Sequence, residues 1–223
     1  MQDEPAASKP TAPRKKNYPR KTYRHGDLRR ALLDAGIELA RSGGPDAVVL
    51  REATRQAGVV PNAAYRHFAN RQDLVEAVRA AALSELAATM EAELAAIDPS
   101  LDAGAQACAA LRATGLGYLR YALTQPGLFR TAFATHETPV GDANPAKAGP
   151  GGLNPFQLLS QALDRMATAG ALPMERRLGA EFLAWSAVHG FAMLILDGPL
   201  RGFPEAQIAP LGARLVEMVQ KGL

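Results

Sequence analysis

The sequence predicts an all-α protein of about nine helices: three short N-terminal helices that include a helix-turn-helix, then a larger helical bundle. Three observations carry that expectation. Ala and Leu fill most apolar positions while aromatic residues make up only 6% of the chain. That balance favours helix, because Ala and Leu are strong helix formers and strands draw on β-branched and aromatic residues. Apolar residues recur at three- and four-residue steps through most of the chain, the helical period. Clusters of Gly and Pro punctuate those runs where helices would end.

Residues 1–24 are rich in Pro, Lys and Arg with almost no apolar content, which predicts a disordered basic arm. Charge is uneven along the chain: 15 Lys and Arg face 9 Asp and Glu through Arg79, and 10 face 13 after it. Nine of the basic residues lie between Lys9 and Arg30, against the single acid Asp27. The asymmetry fits a polyanion partner for the N-terminal part, or equally a solvated basic tail.

The first helix is expected from His25 to about Arg41, with Leu28, Ala31, Leu32, Ala35 and Leu39 on one face and Ser42-Gly43-Gly44-Pro45 stopping it. Asp27 in its first turn suits the helix dipole. Gly36 costs about 1 kcal/mol of helix propensity against Ala, so close packing against the next helix is expected there. Leu50 to Phe68 then reads as a helix (50–57), a tight turn through Gly58 and Pro61, and a second helix (62–68). Gly58 can adopt the left-handed conformation that ends a helix, and Pro61 suits the first turn of the next. Two short helices joined this way form the helix-turn-helix, whose second helix enters a DNA major groove. The expected core of the three-helix unit is Leu28, Leu32, Ile37, Leu50, Val59, Tyr65 and Phe68.

Asn70 as N-cap and Asp73 three residues on open a long helix to about Ile97. At 1.5 Å per residue it would span roughly 40 Å and bridge two lobes. Asp98-Pro99-Ser100 ends it. Helices follow at 101–124, 128–134, 154–169, 174–196 and 205–221, with Thr135 to Gly152 expected as a mobile loop. The last two helices each carry an apolar stripe beyond what one core needs, so a homodimer about a two-fold axis is expected.

Cys108 is the single cysteine, read as a small core residue, and no intrachain disulfide can form. No signal-peptide core or run of about 18 apolar residues is present, which predicts a cytoplasmic protein with no membrane partner. His136 and Glu137 lack a second His or Cys at ligand spacing, so no metal is expected. No phosphate-binding Gly loop, nucleophile elbow or His-Glu-x-x-His pair occurs, which argues against an enzyme or a cofactor. Phe129, Phe133, Phe156, Trp185, His189 and Met193 are candidates to line a ligand pocket. The alternative for each aromatic is ordinary core, and for His189 a core histidine or a dimer contact.

HGDLRRALLDAG on the first helix, REATRQAGV on the second, NAAYRHF on the third and NRQDLVEAV opening the fourth resemble the tetracycline-repressor-like (TetR) transcriptional regulators. AWSAVHGFAMLILDGP resembles the Trp…His-Gly segment of one branch of that family. The resemblance implies a DNA-binding domain at 25–70 and a ligand-binding and dimerisation domain at 71–223. It also implies repression relieved by an apolar or amphipathic small molecule. Its DNA-facing set would be Arg51, Asn62, Ala63, Tyr65, Arg66, His67 and Arg71. Asn62, Ala63 and Arg66 would face base edges of double-stranded DNA, and Tyr65, His67 and Arg71 its phosphates. Val49 and Val60 depart from the pattern, standing where Ser or Thr caps the second and third helices. Those departures leave open a ligand-binding or protein-interaction bundle that no longer binds DNA.

Overall fold

The computed structural model describes residues 28–134 and 140–223. The expected arm over 1–24, His25 and Asp27 of the first helix, and the His136–Glu137 pair lie outside the described residues. The described chain is helical throughout: α1 (Leu28–Ala47), α2 (Leu50–Ala57), α3 (Pro61–Ala64), α4 (Arg71–Ala95), α5 (Ala103–Thr124), α6 (Pro126–Ala132), α7 (Pro155–Thr168), α8 (Met174–Arg177), α9 (Ala180–Leu196) and α10 (Glu205–Gly222), with a 3-10 turn at Pro145–Lys147. None of these helices is long and apolar enough to cross a membrane.

Local chemistry sets most of the ends. Asn70 accepts the Asp73 N–H at 2.9 Å, while the Asp73 carboxylate accepts the Ala69 N–H at 3.0 Å, fixing the start of α4. Asn154 and Gln157 form a reciprocal capping box at α7, both bonds at 2.9 Å. α2 ends at Gly58 (φ 69°), with the Gly58 N–H on the Arg55 carbonyl and the Val59 N–H on the Thr54 carbonyl. That pair of bonds is the Schellman arrangement, which a left-handed glycine closes without strain. α2 and α3 start from Val49 and Val60, neither of which supplies a side-chain cap.

Several sequence expectations change. The first helix extends past Arg41 and its backbone breaks at Gly44 (φ 71°), just ahead of Pro45. Gly36 does pack closely, but against α4: an added Cβ would lie 2.8 Å from Val78 Cγ2. The expected 174–196 helix divides at Leu178 and Gly179, which is why the described residues hold ten α-helices. Arg177 holds that break through Asp164, Glu181 and the Ser160 carbonyl, at 2.8, 2.7 and 3.2 Å. The third helix keeps regular geometry only to Ala64 and closes in a turn, where the His67 and Phe68 N–H groups share the Ala64 carbonyl.

The segment expected as a mobile loop is, from Val140 onward, a strap docked along α4. Ser84 donates to the Ala148 carbonyl at 2.6 Å, and the Gly151 N–H meets both oxygens of Glu91 at 3.1 and 3.0 Å. Asn154 Nδ2 donates to the Asp142 carbonyl at 2.8 Å.

One core joins α1–α6, part of α9, Leu158 of α7 and Val216 of α10 around Leu32, Leu50, Phe68, Leu86, Tyr121 and Phe129. A second, around Leu111, Leu159, Leu163 and Met166, joins α5, α7 and α9. Of the expected N-terminal core, Leu32, Leu50 and Phe68 are buried, and Leu28, Ile37 and Val59 pack partly buried against them. Tyr65 is 57% exposed, because α3 ends just before it. α6 lies against both α1 and α4. Cys108 is partly buried at the edge of the second core.

Candidate nucleic-acid interface and buried cavity

α2 and α3 cross tightly because Ala53 and Ala64, both fully buried, keep side chains out of the crossing. The outward side carries Arg51, Asn62, Tyr65, Arg66 and His67, all exposed, with Ala63 half-buried among them. No hydrogen bond or ion pair among the described residues engages those five exposed side chains. Phe68, by contrast, is buried and stacked beneath Arg29 of α1, whose guanidinium carbon lies 5.2 Å from the ring centroid. The group therefore presents two arginines and a histidine beside Tyr65, an aromatic donor, in reach of a large polyanion.

Arg71 is placed differently. Its Nε donates to the Val48 carbonyl at 2.8 Å and its Nη2 to the Pro45 carbonyl at 2.7 Å. It thus fastens the first turn of α4 to the link between α1 and α2, an internal role that the sequence did not indicate. Its side chain is still about half exposed.

A cavity of about 120 Å³ lies in the larger lobe, walled by α4, α5, α6, α7, α9, α10 and the strap. Phe133, Phe156 and Trp185 line it, as the sequence suggested. Phe129 is instead fully buried behind it, stacked edge-on to Tyr118 with centroids 5.4 Å apart, and neither His189 nor Met193 reaches the wall. Five polar wall residues were not foreseen: Arg79, Thr114, Asp142, Lys147 and Asn154. Arg79 did leave a signal, being a charge on the apolar stripe of α4 between Val75 and Leu83. Lys147 and Asp142 left none, since they lie in a segment with no helical period.

His189 completes a polar chain under the aromatic wall. Trp185 Nε1 donates to the Tyr118 hydroxyl at 3.1 Å, and that hydroxyl lies 2.7 Å from His189 Nδ1. Burial pushes the Tyr118 phenol far above its ordinary range, so it keeps its proton and donates to Nδ1. Burial likewise holds the His189 imidazole below its ordinary value of 6.5, the neutral form this bond requires. A histidine that binds its proton more weakly when folded contributes fully above the unfolded pKa of about 6.5, and that contribution is lost as pH falls below it. Thermal unfolding between pH 8 and pH 5 is therefore expected to show a decline below about pH 6.5 that His189→Gln reduces. Parallel curves for the two proteins would remove His189 from this role.

Comparison with known proteins agrees with the geometry. The family model for bacterial regulatory proteins of the tetR family matches residues 32–78, and that for the tetracyclin repressor-like C-terminal domain matches residues 111–219. No curated protein matches the chain. Among solved structures, a protein of unknown function from Rhodococcus sp. RHA1 is 25% identical, with a TM-score of 0.70 over 91% of this chain and 98% of that one. The TetR family transcriptional regulator PfmR from Thermus thermophilus is 17% identical, with a TM-score of 0.53 over 86% and 98%, and shares the fold. With a helix-turn-helix at residues 50–68 and both family models matched, the chain belongs to the TetR family of DNA-binding transcriptional regulators.

Proposed function

We propose that the protein is a ligand-responsive repressor that binds a palindromic operator as a homodimer and leaves it when a small molecule fills the cavity. The observation that carries the reading is the shared use of α4 and α6. Both wall the cavity through Arg79, Leu83, Met90, Ala132 and Phe133, and both pack on α1 of the helix-turn-helix unit. In this reading residues 25–70 bind DNA and residues 71–223 bind ligand and dimerise. Asn62, Ala63 and Arg66 face base edges; Tyr65, His67 and Arg51 face phosphates, with Arg71 at the edge of the contact.

Exposed apolar side chains on α8, α9 and α10 support the dimer. Met174, Leu178, Leu183, Leu194 and Met218 all stand out of the single chain, Leu178 at 95% exposure. A two-fold pairing of these helices would cover them. Two recognition segments would then meet successive major grooves roughly 34–36 Å apart. A ligand releases DNA only through its higher affinity for a conformation with another spacing.

Selection from random duplexes at physiological salt tests this. A palindrome whose half-site centres are one helical turn apart is the expected product, bound by two chains. Absence of any enriched palindrome would favour a bundle without DNA binding, the reading that the uncapped starts at Val49 and Val60 recommend.

A further inference from the structure

Two side chains of α9 meet on one hydroxyl of α5. Trp185 Nε1 donates to the Tyr118 oxygen at 3.1 Å, and the Tyr118 hydroxyl donates to His189 Nδ1 at 2.7 Å. Tyr118 and Trp185 both line the cavity. Their rings belong to a series in its wall, with centroids 5.9 Å apart from Tyr118 to Phe133, 6.1 Å from Phe133 to Trp185 and 6.1 Å from Trp185 to Phe156. The volume of about 120 Å³ is near that of an apolar cavity of about 150 Å³ that takes benzene. A single aromatic ring therefore fits the space, and edge-on or offset contacts with these rings favour it.

A hydroxyl has one proton to give and lone pairs to fill. Here His189 takes the proton and Trp185 fills one lone pair, so the Tyr118 oxygen keeps one acceptor position. Tyr118 is buried, which keeps bulk water from filling it. The other polar groups of the wall are engaged within the chain. Thr114 Oγ1 donates to the Ala110 carbonyl at 2.9 Å and Asn154 Nδ2 to that of Asp142 at 2.8 Å, while Arg79 and Lys147 pair with Glu76 and Asp142. A buried acceptor left against hydrocarbon costs free energy that a ligand O–H or N–H recovers. A ligand carbonyl or nitrile in the same place would set lone pair against lone pair, because the hydroxyl proton is turned to His189.

We propose that the cavity takes a single-ring aromatic molecule whose hydroxyl or N–H donates to the Tyr118 oxygen, with His189 setting that choice by holding the Tyr118 proton away from the ligand. Tyr118 is then the specificity-determining contact, and His189 is a positioning residue that acts through it. The assignment rests on the reading of the cavity as the effector site. It also gives Trp185 and His189 one shared purpose. Four residues apart, they lie on the same face of α9, and together they fix the direction of a single hydroxyl.

Phenol, toluene and benzonitrile test this, since they are similar in size and present a donor, neither group, and an acceptor only. Titration calorimetry at pH 8 gives the affinity of each for the full chain and its variants. Tyr118→Phe is expected to lower the phenol-to-toluene affinity ratio roughly three- to tenfold, the weight of one neutral hydrogen bond. His189→Leu frees the Tyr118 proton and should raise the benzonitrile-to-toluene ratio by a similar factor. His189→Asn, which keeps an acceptor for that proton, should hold both ratios near the parent's. Loss of packing alone would move all three probes together, so the ratios separate the two causes. If Tyr118→Phe does not fold, the two His189 variants still decide. A phenol ratio unchanged in Tyr118→Phe would overturn the donor contact, and a benzonitrile ratio unmoved in His189→Leu would overturn the role of His189; both leave the cavity reading standing. If none of the three binds the parent chain, the effector cavity falls and the assignment with it. Phenol that binds through Tyr118 but leaves operator complexes intact supports the assignment and refutes release by ligand.

Discussion

Gly127→Ala is expected to lower the melting temperature by roughly 6–12 °C, the shift that a loss of about 3 kcal/mol gives in a chain of this size. The reason is where α6 meets α1. A Cβ on Gly127 would collide with the Ala40 carbonyl oxygen and stand 2.5 Å from that of Arg41. Both neighbours are backbone, in a helix held by its own hydrogen bonds, so no side chain can swing aside. Either α6 lifts off α1 or α1 deforms. Pro126 at the first position of α6, and the Arg41–Gln125 hydrogen bond at 2.5 Å just before it, leave little freedom to slide. The other end of α6 is also fixed, with Arg130 on both oxygens of Asp197 at 2.9 and 3.0 Å. Operator affinity should fall with stability, because α6 supports the helix-turn-helix from behind. Gly202→Ala, where no atom lies within 4 Å of the added Cβ, is the control and should melt like the parent. Circular dichroism on heating reads both; a Gly127→Ala protein that melts together with the parent would show that the contact yields cheaply.

Much of this architecture was legible because its signals are local. Gly58 and Pro61 mark the turn, and Asn70 with Asp73, and Asn154, mark helix starts through bonds that span three or four residues. What escaped depends on distant partners. The break at Leu178–Gly179 interrupts a continuous apolar pattern, and it is Asp164 and Ser160, on the preceding helix, that hold Arg177 there. The strap over residues 140–153 reads as a loop because its anchors, Ser84 and Glu91, lie on α4, more than fifty residues earlier. The candidate pocket divides the same way. Aromatic content pointed to the right region, but helical spacing does not tell Phe133, on the cavity wall, from Phe129, sealed behind it. Arg71 shows the limit of carrying a role over by position. The match placed it at the DNA, and the fold uses its guanidinium to hold Pro45 and Val48 as well.

That double use separates two arginines that sequence alone would treat as a pair. Arg66→Ala is expected to relax operator preference by roughly 10- to 100-fold, since a bidentate arginine–guanine contact is worth about 1–3 kcal/mol of discrimination. It should leave the melting temperature unchanged, because the Arg66 side chain is exposed and no described residue bonds to it. Arg71→Ala should do the reverse. Losing two hydrogen bonds to backbone carbonyls frees the link between α1 and α2, so the protein should melt earlier and bind every duplex more weakly, with sequence preference kept. Titrating each variant against the selected operator and a scrambled duplex, with thermal unfolding alongside, distinguishes the two patterns. Arg66→Ala lowering affinity for both duplexes equally would place Arg66 on the phosphates. The base-edge reading would then rest on Asn62 and Ala63 alone.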